Sequence, residues 1–370
     1  MRISLIKRIK LLSESKIKYQ ASRYDKKKEF PKFITKFLKK KDLQYLLSYH
    51  SGYRSINAKL ESDFYYNATK YCANIRNYFL VSIGMVGAGI YKYGTVKQKR
   101  EYEDNIVNKN EIYALAITEK SAGSDINSIK TSYKFLNNKF TLNGEKTWIT
   151  LGGVAKHFVI LAKGDFGLLL FCAKKNQSIK ISTLKNIISN KGSSIGKIKI
   201  KNLILNHSDI LGDKKKISST NALEYILING RAIASISAAS MSEAALEEAI
   251  IYSKNRIQFG KRIFQFQQIQ DIFTNASVDI QTLKLLAEKS FFIKRKNYQE
   301  GKFICNSAKF FSSKVINNTT NELMKIFGAN SNTENFNIER YNREAKAYMF
   351  IEGTSQILSQ IISSHLMTKY

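Results

Sequence analysis

Residues 118–125 read Thr-Glu-Lys-Ser-Ala-Gly-Ser-Asp, and residues 148–150 read Trp-Ile-Thr. The first stretch follows Tyr113 to Ile117, a run whose composition predicts a β-strand. Small residues after a strand let the backbone approach a bulky ligand, and the hydroxyl groups of this loop can bind polar ligand atoms. Trp148, the only tryptophan of the chain, can cover a planar ring system. Taken alone, each stretch is more simply interpreted as an ordinary loop or a core tryptophan.

The sequence on either side of these stretches divides the chain into three zones. Between Glu111 and about Asp213 the apolar residues alternate in short runs, which predicts strands. The clearest run is Lys139 to Leu142, followed by Asn143-Gly144, a dipeptide typical of hairpin turns. The other strands predicted in this zone are Phe158 to Ala162, Leu168 to Ala173 and Ile198 to Leu205. From Met1 to about Asn110, and from about Lys214 onward, the spacing of apolar residues is helical.

The third zone predicts a helical bundle. One apolar stripe recurs at steps of three and four residues, as expected for a helix with one buried face. Its members are Ile269, Ile272, Phe273, Ala276, Ile280, Leu283 and Ala287. Gly260, Gly301 and Gly328 are predicted to separate helices that are long enough for such a bundle.

The net charge of +31 over 370 residues allows three interpretations. It can serve nucleic-acid binding, because lysines release counterions from phosphates, or it can attract an acidic carrier protein or CoA. It can also reflect a drift toward residues with AT-rich codons. We favour the drift, because the lysines are scattered, as at Lys39 to Lys41, Lys174-Lys175 and Lys214 to Lys216, and do not gather on one helix face.

Cysteine and histidine placement argues against several classes of protein. Cys72, Cys172 and Cys305 are far apart and the histidines are isolated, so we predict neither a disulfide framework nor a metal site. This placement of cysteines also predicts a reducing, cytoplasmic location. Residues 1–18 place basic side chains between short apolar runs, which predicts an amphipathic helix instead of a signal peptide. Phe79 to Ile90 is the most apolar run, but it is too short to cross a bilayer.

Two further segments carry candidate chemistry. Arg256-Ile257-Gln258-Phe259-Gly260 ends a long predicted helix, where a guanidinium group suits a phosphate. A charge placed to suit the helix dipole is the simpler interpretation. Ile351-Glu352-Gly353-Thr354-Ser355-Gln356 lies in the last helical segment, where a glycine beside a carboxylate can open space for a substrate. A surface glutamate is the simpler interpretation there.

Taken together, these segments resemble the acyl-CoA dehydrogenase family. The family pattern is T-E-P-x-A-G-S-D, then W-I-T, R-x-x-F-G, a turn like G-G-x-G-Y, R-D-A-K and E-G-T. In the same order this chain has TEKSAGSD (118–125), WIT (148–150), RIQFG (256–260), GANS (328–331), REAK (343–346) and IEGT (351–354). The N-terminal zone is also similar, so the resemblance covers nearly the whole chain.

The resemblance implies an α+β fold like that of the acyl-CoA dehydrogenases. Its parts would be an N-terminal α-helical domain over residues 1–112, a middle β-barrel-like domain over residues 113–214 and a C-terminal four-helix bundle over residues 215–370. It also implies FAD as the cofactor and a homo-oligomer, dimer or tetramer, whose subunits share the FAD sites.

The resemblance further implies roles for individual residues. Glu352 would be the catalytic base, Arg231 would steady its carboxylate, and Ser124, Ile351 and Gly353 would contact the substrate. The residues implied to bind FAD are Leu115, Ile117, Thr118, Gly123, Ser124, Trp148, Thr150, Arg256, Gln258, Phe259, Gln267, Lys325, Thr354 and Gln356. Those implied to reach the FAD of a neighbouring subunit are Arg256, Gln258, Phe259 and Gln267.

The reaction implied is the α,β-dehydrogenation of an acyl-CoA thioester, as in fatty acid metabolism. Glu352 would remove the α-proton while a hydride leaves the β-carbon for flavin N5. Some branches of the family carry the base beside Arg231, but that neighbour is Gly230 here. An alternative substrate is an acyl group tethered to a carrier protein in a biosynthetic pathway, and electron-transfer flavoprotein is a candidate electron acceptor. A third hypothesis, that this is a family member recruited to bind DNA, is supported only by the net charge.

Four positions depart from the family pattern. Lys120 stands where proline is usual, which removes a fixed φ angle from the loop. Lys325 stands where a glutamine is common near the pyrophosphate of the neighbouring FAD. Ala329 and Ser331 replace two glycines of the G-G-x-G turn, which predicts a less close approach of that backbone to FAD.

Overall fold

The N-terminal part of the chain is helical, as its apolar spacing predicts. The computed structural model describes residues 2–52, 57–212 and 219–369. Its helices in this part are α1 (Arg2–Leu12), α2 (Lys18–Lys27), α3 (Lys40–Leu47), α4 (Ala58–Thr69), α5 (Ala73–Asn77), α6 (Ala88–Tyr93) and α7 (Val96–Val107). A wider π-helical turn, Ser13–Ile17, joins α1 to α2. The predicted amphipathic helix at the N-terminus is therefore confirmed, with Leu5, Ile9 and Ile17 on its buried side.

A second π-helical segment, Tyr78–Gly87, joins α5 to α6. All ten of its residues are buried. It packs against α8 and β1, so this apolar run is used for contacts within the protein. Among the described residues, no helix combines the length and the apolar character needed to cross a membrane.

The middle of the chain forms a sheet. Its strands are β1 (Tyr113–Ala116), β2 (Ser132–Leu136), β3 (Lys139–Ile149), β4 (His157–Gly164), β5 (Gly167–Lys174), β6 (Ile179–Thr183) and β7 (Gly196–Leu205). They are ordered β1-β4-β2-β3-β7-β6, with β5 paired to β4. The strands predicted at β1, β4, β5 and β7 are confirmed to within two residues. The parallel pairing of β1 with β4 places Ala116, the last residue of β1, opposite Ile160 in the middle of β4.

The predicted hairpin turn at Asn143-Gly144 is wrong. β3 continues through this dipeptide, and the turn lies earlier, at Asn137 and Asn138, which have φ angles of 50° and 59°. Two asparagines in the left-handed region make the two-residue turn that joins β2 to β3. Gly144, at φ 152°, instead marks a β-bulge beside β7. A Cβ atom there would lie 2.5 Å from Thr131 Oγ1, which explains the need for glycine.

The C-terminal part is helical again. It contains α8 (Ser219–Asn255), a hairpin of β8 (Ile257–Gln258) and β9 (Lys261–Arg262), then α9 (Gln267–Lys296), α10 (Tyr298–Phe327), α11 (Ile338–Lys346) and α12 (Ser355–Lys369). The predicted apolar stripe lies on α9, where Ala276, Ile280, Leu283 and Ala287 are buried. α8, α9 and α10 pack against one another, and α12 packs on α10.

The predicted helix breaks at Gly260 and Gly328 are confirmed, but the one at Gly301 is wrong. Gly301 lies inside α10, whose N-cap is Asn297; its side chain accepts hydrogen bonds from the amides of Gln299 and Glu300. A Cβ atom at residue 301 would lie 2.2 Å from Lys294 Cα. The glycine is thus explained by the close approach of α10 to α9.

The predicted fold class is confirmed, since helices, a sheet and a second helical part follow one another along the chain. The exact domain boundaries stay predictions. The boundary between residues 214 and 215, with Lys214 to Lys216, lies outside the described residues.

Candidate active site

The turn that carries Glu352 has an unusual backbone. It lies between the end of α11 and the start of α12, and Glu352 and Gly353 have φ angles of 54° and 99°. A residue with a side chain in this left-handed region costs about 1–3 kcal/mol and persists only where the surroundings hold it. Such strain is concentrated at functional sites, so this geometry favours a function for Glu352 over the surface-glutamate interpretation.

The carboxylate of Glu352 lies against α8 at Gly230. A Cβ atom on residue 230 would come within 2.4 Å of Glu352 Oε2, so a larger residue there would displace the carboxylate from this position. Oε2 is itself buried and has no hydrogen-bond partner. Burial raises the pKa of Glu352 to about 7, against the opposing charges of Arg231, Lys309 and Arg76. A buried carboxylate oxygen without a partner is expected where a ligand completes the site.

Arg231 holds the main chain of Glu352. Its Nε donates to the Glu352 carbonyl oxygen at 3.0 Å, and its Nη1 donates to Asn306 Oδ1 at 2.7 Å. The hydrogen bond is to the backbone of Glu352, while the charge of Arg231 also favours the ionised carboxylate; the predicted steadying role stays a prediction. The guanidinium group fixes the turn and leaves the carboxylate oxygen Oε2 without a partner.

A cleft of about 350 Å³ reaches Arg231, whereas Glu352 itself does not line it. Its walls come from α8, α10 and α12, and include Leu227, Arg231, Phe303 and His365. Ile126, which follows the loop of residues 118–125, also lines it. The cleft thus connects the loop after β1 with the arginine that holds Glu352.

The loop of residues 118–125 is fixed to β3 by a buried ion pair. The ammonium group of Lys146 donates to Ile117 O and to Glu119 Oε1, each at 2.8 Å, and its side chain is fully buried. The carboxylate of Glu119 also accepts from the amides of Lys130 and Thr131 at 2.6 and 2.9 Å. Burial opposes ionisation of Glu119, but these hydrogen bonds outweigh it and lower its pKa to about 2.

Trp148 lies on the outside of the sheet, so its interpretation as a core residue is wrong. Its side chain is 61% exposed and its φ angle is 56°. The amide of the preceding residue, Thr147, donates to Thr118 O at 2.9 Å, which places this end of β3 beside the loop. The neighbouring predicted residues are half-buried (Leu115, Ile117, Thr118 and Thr150) or exposed (Gly123 and Ser124). An exposed tryptophan beside half-buried positions is available to a flat ligand.

A second cleft, of about 690 Å³, gathers most of the residues implied to reach a neighbouring FAD. Arg256, Gln258, Phe259, Lys325 and Ala329 all line it. Gln267 does not; it begins α9, and the next residue lines the cleft in its place. Phe259 lies at the tip of the β8–β9 hairpin with a 94% exposed ring and a φ angle of 52°.

The remaining predicted residues lie in neither cleft. Thr354 caps α12, because its hydroxyl oxygen accepts a hydrogen bond from the Ile357 amide at 3.3 Å. Gln356 is exposed, and Ile351 and Gly353 are half-buried beside Glu352. Within residues 2–52, 57–212 and 219–369, no group of three or more metal-binding side chains lies close enough to hold a metal ion.

Sequence reasoning missed two residues of this site, Asn306 and Lys309. Both are buried on α10, Asn306 against Arg231 and Lys309 against the carbonyl oxygen of Tyr348. A signal was present in the sequence, since Lys309 lies at helical spacing from the small or apolar residues Cys305, Ser312 and Ile316, which share the buried face of α10. A lysine on such a face must find a partner inside the protein.

The family follows from a comparison with known proteins. Residues 114–203 match the model of the acyl-CoA dehydrogenase middle domain, and residues 220–367 match that of the acyl-CoA dehydrogenase C-terminal domain. Together the two matches cover more than half of the chain. The chain belongs to the acyl-CoA dehydrogenase family. Members of this family are FAD-dependent oxidoreductases, and the predicted family is confirmed.

Relatives of this acyl-CoA dehydrogenase family member differ in the reaction that their names describe. The CarC subunit of the caffeyl-CoA reductase-Etf complex of Acetobacterium woodii is 28% identical over 293 residues, which are 77% of this chain and 76% of that one. Butyryl-CoA dehydrogenase from Megasphaera elsdenii is 22% identical, with a TM-score of 0.89 over 99% of this chain and 98% of that one. The prolyl acyl carrier protein oxidase AnaB is also 22% identical, with a TM-score of 0.88 over the same shares. The two structural likenesses show a common fold.

The departures from the acyl-CoA dehydrogenase pattern are accommodated locally. The loop turns at Lys120 without proline, because the amide of Glu119 donates to Ala122 O at 2.9 Å and closes the turn. Lys325 forms an exposed ion pair with Glu322 at 2.7 Å. Ala329 is exposed in the second cleft, while the hydroxyl group of Ser331 donates to Gly328 O at 2.7 Å.

Proposed function

We propose that this protein is an FAD-dependent dehydrogenase that introduces an α,β double bond into an acyl thioester, with Glu352 as the base. The observation that carries the proposal is the buried, unpartnered oxygen Oε2 of Glu352, held against Gly230 by a strained turn. A carboxylate kept free of other hydrogen bonds is suited to accept a proton from carbon. Family membership supports the same reaction class.

The residues present fit FAD. The exposed ring of Trp148 offers a flat apolar surface for the isoalloxazine, beside the hydroxyl groups of Thr118 and Thr150. Arg256 in the second cleft suits a phosphate, because a guanidinium group binds two phosphate oxygens at once. When bound, FAD supplies the acceptor for the hydride that leaves the β-carbon.

A homo-oligomer is part of this proposal. Phe259 exposes 94% of its surface at a hairpin tip, and an exposed aromatic ring next to an open cleft is typical of a surface that a partner covers. We propose that the second cleft meets the FAD of a neighbouring copy of the chain. Arg256→Ala should then weaken FAD retention and the dimer together.

The protein's own groups would perform the proton step. A substrate that enters the first cleft would have to extend past Arg231, which lines that cleft, so that its α-carbon lies beside Glu352, which removes the proton. Arg231 holds the Glu352 carbonyl oxygen throughout, so the carboxylate can change its protonation state without moving the turn. The main-chain amide of Glu352 would polarise the thioester oxygen as negative charge develops there.

The pH dependence of kcat/KM should report the raised pKa of Glu352. Because the base must be deprotonated and its pKa is raised to about 7, kcat/KM should increase about tenfold per pH unit below that value and level off above it. Initial rates across this range, at constant ionic strength, measure it. A flat profile down to about pH 5 would mean that the base is a carboxyl group with an ordinary pKa.

Lys146→Met should loosen the cofactor loop. The change leaves the Glu119 carboxylate buried without its cation, and breaking a buried pair in this way costs about 3–5 kcal/mol of unfolding free energy. Denaturant unfolding and the FAD content of purified protein measure both effects. The double variant Lys146→Met/Glu119→Gln removes the unpaired charge and should recover part of the loss. Wild-type stability and FAD content in Lys146→Met would show that the ion pair does not hold the loop.

A carrier-tethered acyl group is the second candidate substrate. Among the described residues that line the first cleft, the cationic side chains already have partners: Arg231 binds Asn306, and Lys302 pairs with Glu224 at 2.9 Å. CoA carries three phosphates and a carrier arm only one, so a cleft with few available cations favours the arm. The net charge of +31 also suits an acidic carrier.

The experiment that tests the function compares both substrate forms. Purified protein is titrated anaerobically with a panel of acyl-CoAs and with the same acyl groups on a carrier protein, and the visible flavin band is recorded. Bleaching by at least one thioester is expected. Bleaching by carrier-bound forms alone would select the second candidate, and a flavin that no thioester bleaches would contradict the proposed function.

A further inference from the structure

Lys309 lies in the middle of α10 with its side chain fully buried. Its ammonium group donates to the carbonyl oxygen of Tyr348 at 2.7 Å. Within the part of the chain that the structure describes, it forms no ion pair. A buried charge with one neutral partner is destabilising, so its presence calls for a functional explanation.

Lys309 and Arg231 hold the two ends of one turn. Lys309, on α10, binds the carbonyl oxygen of Tyr348, and Arg231, on α8, binds that of Glu352 at 3.0 Å. The left-handed φ angles of Glu352 and Gly353 lie at the second end. Because the strained segment is held by a cation on each side, its conformation depends on both helices.

The positive charge of Lys309 also acts on the carboxylate of Glu352. The charged groups that act on Glu352 are Arg231 from α8, Lys309 from α10 and Arg76 from α5. Arg76 is engaged with Asn77 and Asn190. Burial lowers the pKa of Lys309 to about 8, and the charge of Glu352 opposes that change. The positive charge of Lys309 therefore favours the ionised form of the carboxylate.

We propose that Lys309 is a positioning residue for the base: its ammonium group fixes the Tyr348 carbonyl oxygen and with it the Glu352 turn, and its charge favours the ionised carboxylate. The inference rests on the proposed role of Glu352. Lys309 acts through the turn and does not itself contact the substrate.

Two substitutions separate the hydrogen bond from the charge. Lys309→Met removes both, so kcat should fall about 10–100-fold with KM changed less than about threefold, and the acid limb of the pH profile should move up by about one pH unit. Lys309→Gln keeps a donor for Tyr348 O. It should recover most of kcat at high pH while its acid limb stays shifted.

Lys294→Met is the matched control. Lys294 is also buried in the helical bundle, but its ammonium group donates to Asn229 Oδ1 at 2.7 Å instead of to the Glu352 turn. This variant should lose stability while its acid limb stays at the wild-type pH. If the acid limb moved by the same amount in Lys294→Met and Lys309→Met, the proposal would be overturned, because a general loss of packing would then explain both shifts.

A measurement without substrate distinguishes this inference from the proposed function. The protonated carboxyl band of Glu352, assigned in infrared spectra by its loss in Glu352→Gln, is titrated in wild type and in both Lys309 variants. A midpoint raised in both variants is expected. Unchanged midpoints would overturn the proposal, and Lys309→Gln decides the question if Lys309→Met does not fold. A raised midpoint in a protein that oxidises no thioester would contradict the proposed function and leave the positioning role supported.

Discussion

Glu352→Gln should leave a folded, FAD-containing protein whose flavin is reduced by an acyl thioester about 10²–10⁴ times more slowly than in wild type. Glutamine has nearly the same shape, so the turn held by Arg231 should persist. It cannot accept the α-proton, so an interaction needed in the transition state is lost. Single-turnover reduction of the flavin in a stopped-flow instrument, with KM measured separately, checks the result.

The companion variant is Glu224→Gln. Glu224 lies upstream on α8, lines the first cleft and pairs with Lys302, which makes it the next carboxylate to consider. The base would be placed on α8 by two results together. The rate of flavin reduction would have to fall in Glu224→Gln and stay at the wild-type value in Glu352→Gln. The thermal unfolding midpoints of both variants show whether either loss comes from misfolding.

Gly230→Ala should separate activity from stability. The added Cβ atom would lie 2.4 Å from Glu352 Oε2 and 2.9 Å from Met85 Cε, so both flexible side chains must move aside. A displacement of about 1 Å at the reacting group can cost about 100-fold in rate. The change from glycine to alanine inside α8 is worth up to about 1 kcal/mol in helix propensity, which offsets part of the crowding. We therefore expect kcat to fall about 100-fold with an unfolding free energy within about 1 kcal/mol of wild type.

Gly89→Ala is the control for crowding. A Cβ atom at Gly89 would lie 2.7 Å from the side chain of Ile226, which is a similar conflict away from Glu352. This variant should keep kcat within about twofold of wild type. An equal loss of kcat in both variants would mean that α8 transmits any crowding to the active site, and that the contact between Gly230 and Glu352 is not special.

The fold could be predicted from the sequence where local chemistry decides it. Short apolar runs located β4 and β5, and the apolar stripe located α9. The hairpin at Asn143-Gly144 was wrong because the same dipeptide also suits a bulge inside a strand, and the choice depends on the pairing of β3 with β7. The helix break predicted at Gly301 was wrong, because the close packing of α10 against Lys294 explains why this residue is a glycine.

The candidate site could be predicted in part, by resemblance. The motif around Glu352 was evident from the order of the six segments, but the contacts that shape its turn were not. Arg231 and Glu352 are 121 positions apart, and Lys309 and Tyr348 are 39 apart. Such distant hydrogen bonds leave no local pattern in the sequence. The role of Trp148 at the FAD site stays a prediction, and only the structure shows that its ring is exposed.

The most direct test of the role of Glu352 isolates the proton step. A thioester whose β-carbon carries no hydrogen cannot lose a hydride, so exchange of its α-hydrogen with D₂O reports proton removal alone. Nuclear magnetic resonance should show exchange catalysed by the wild-type protein and exchange at least about 100-fold slower with Glu352→Gln. Exchange at equal rates in the two proteins would contradict the assignment of Glu352 as the base.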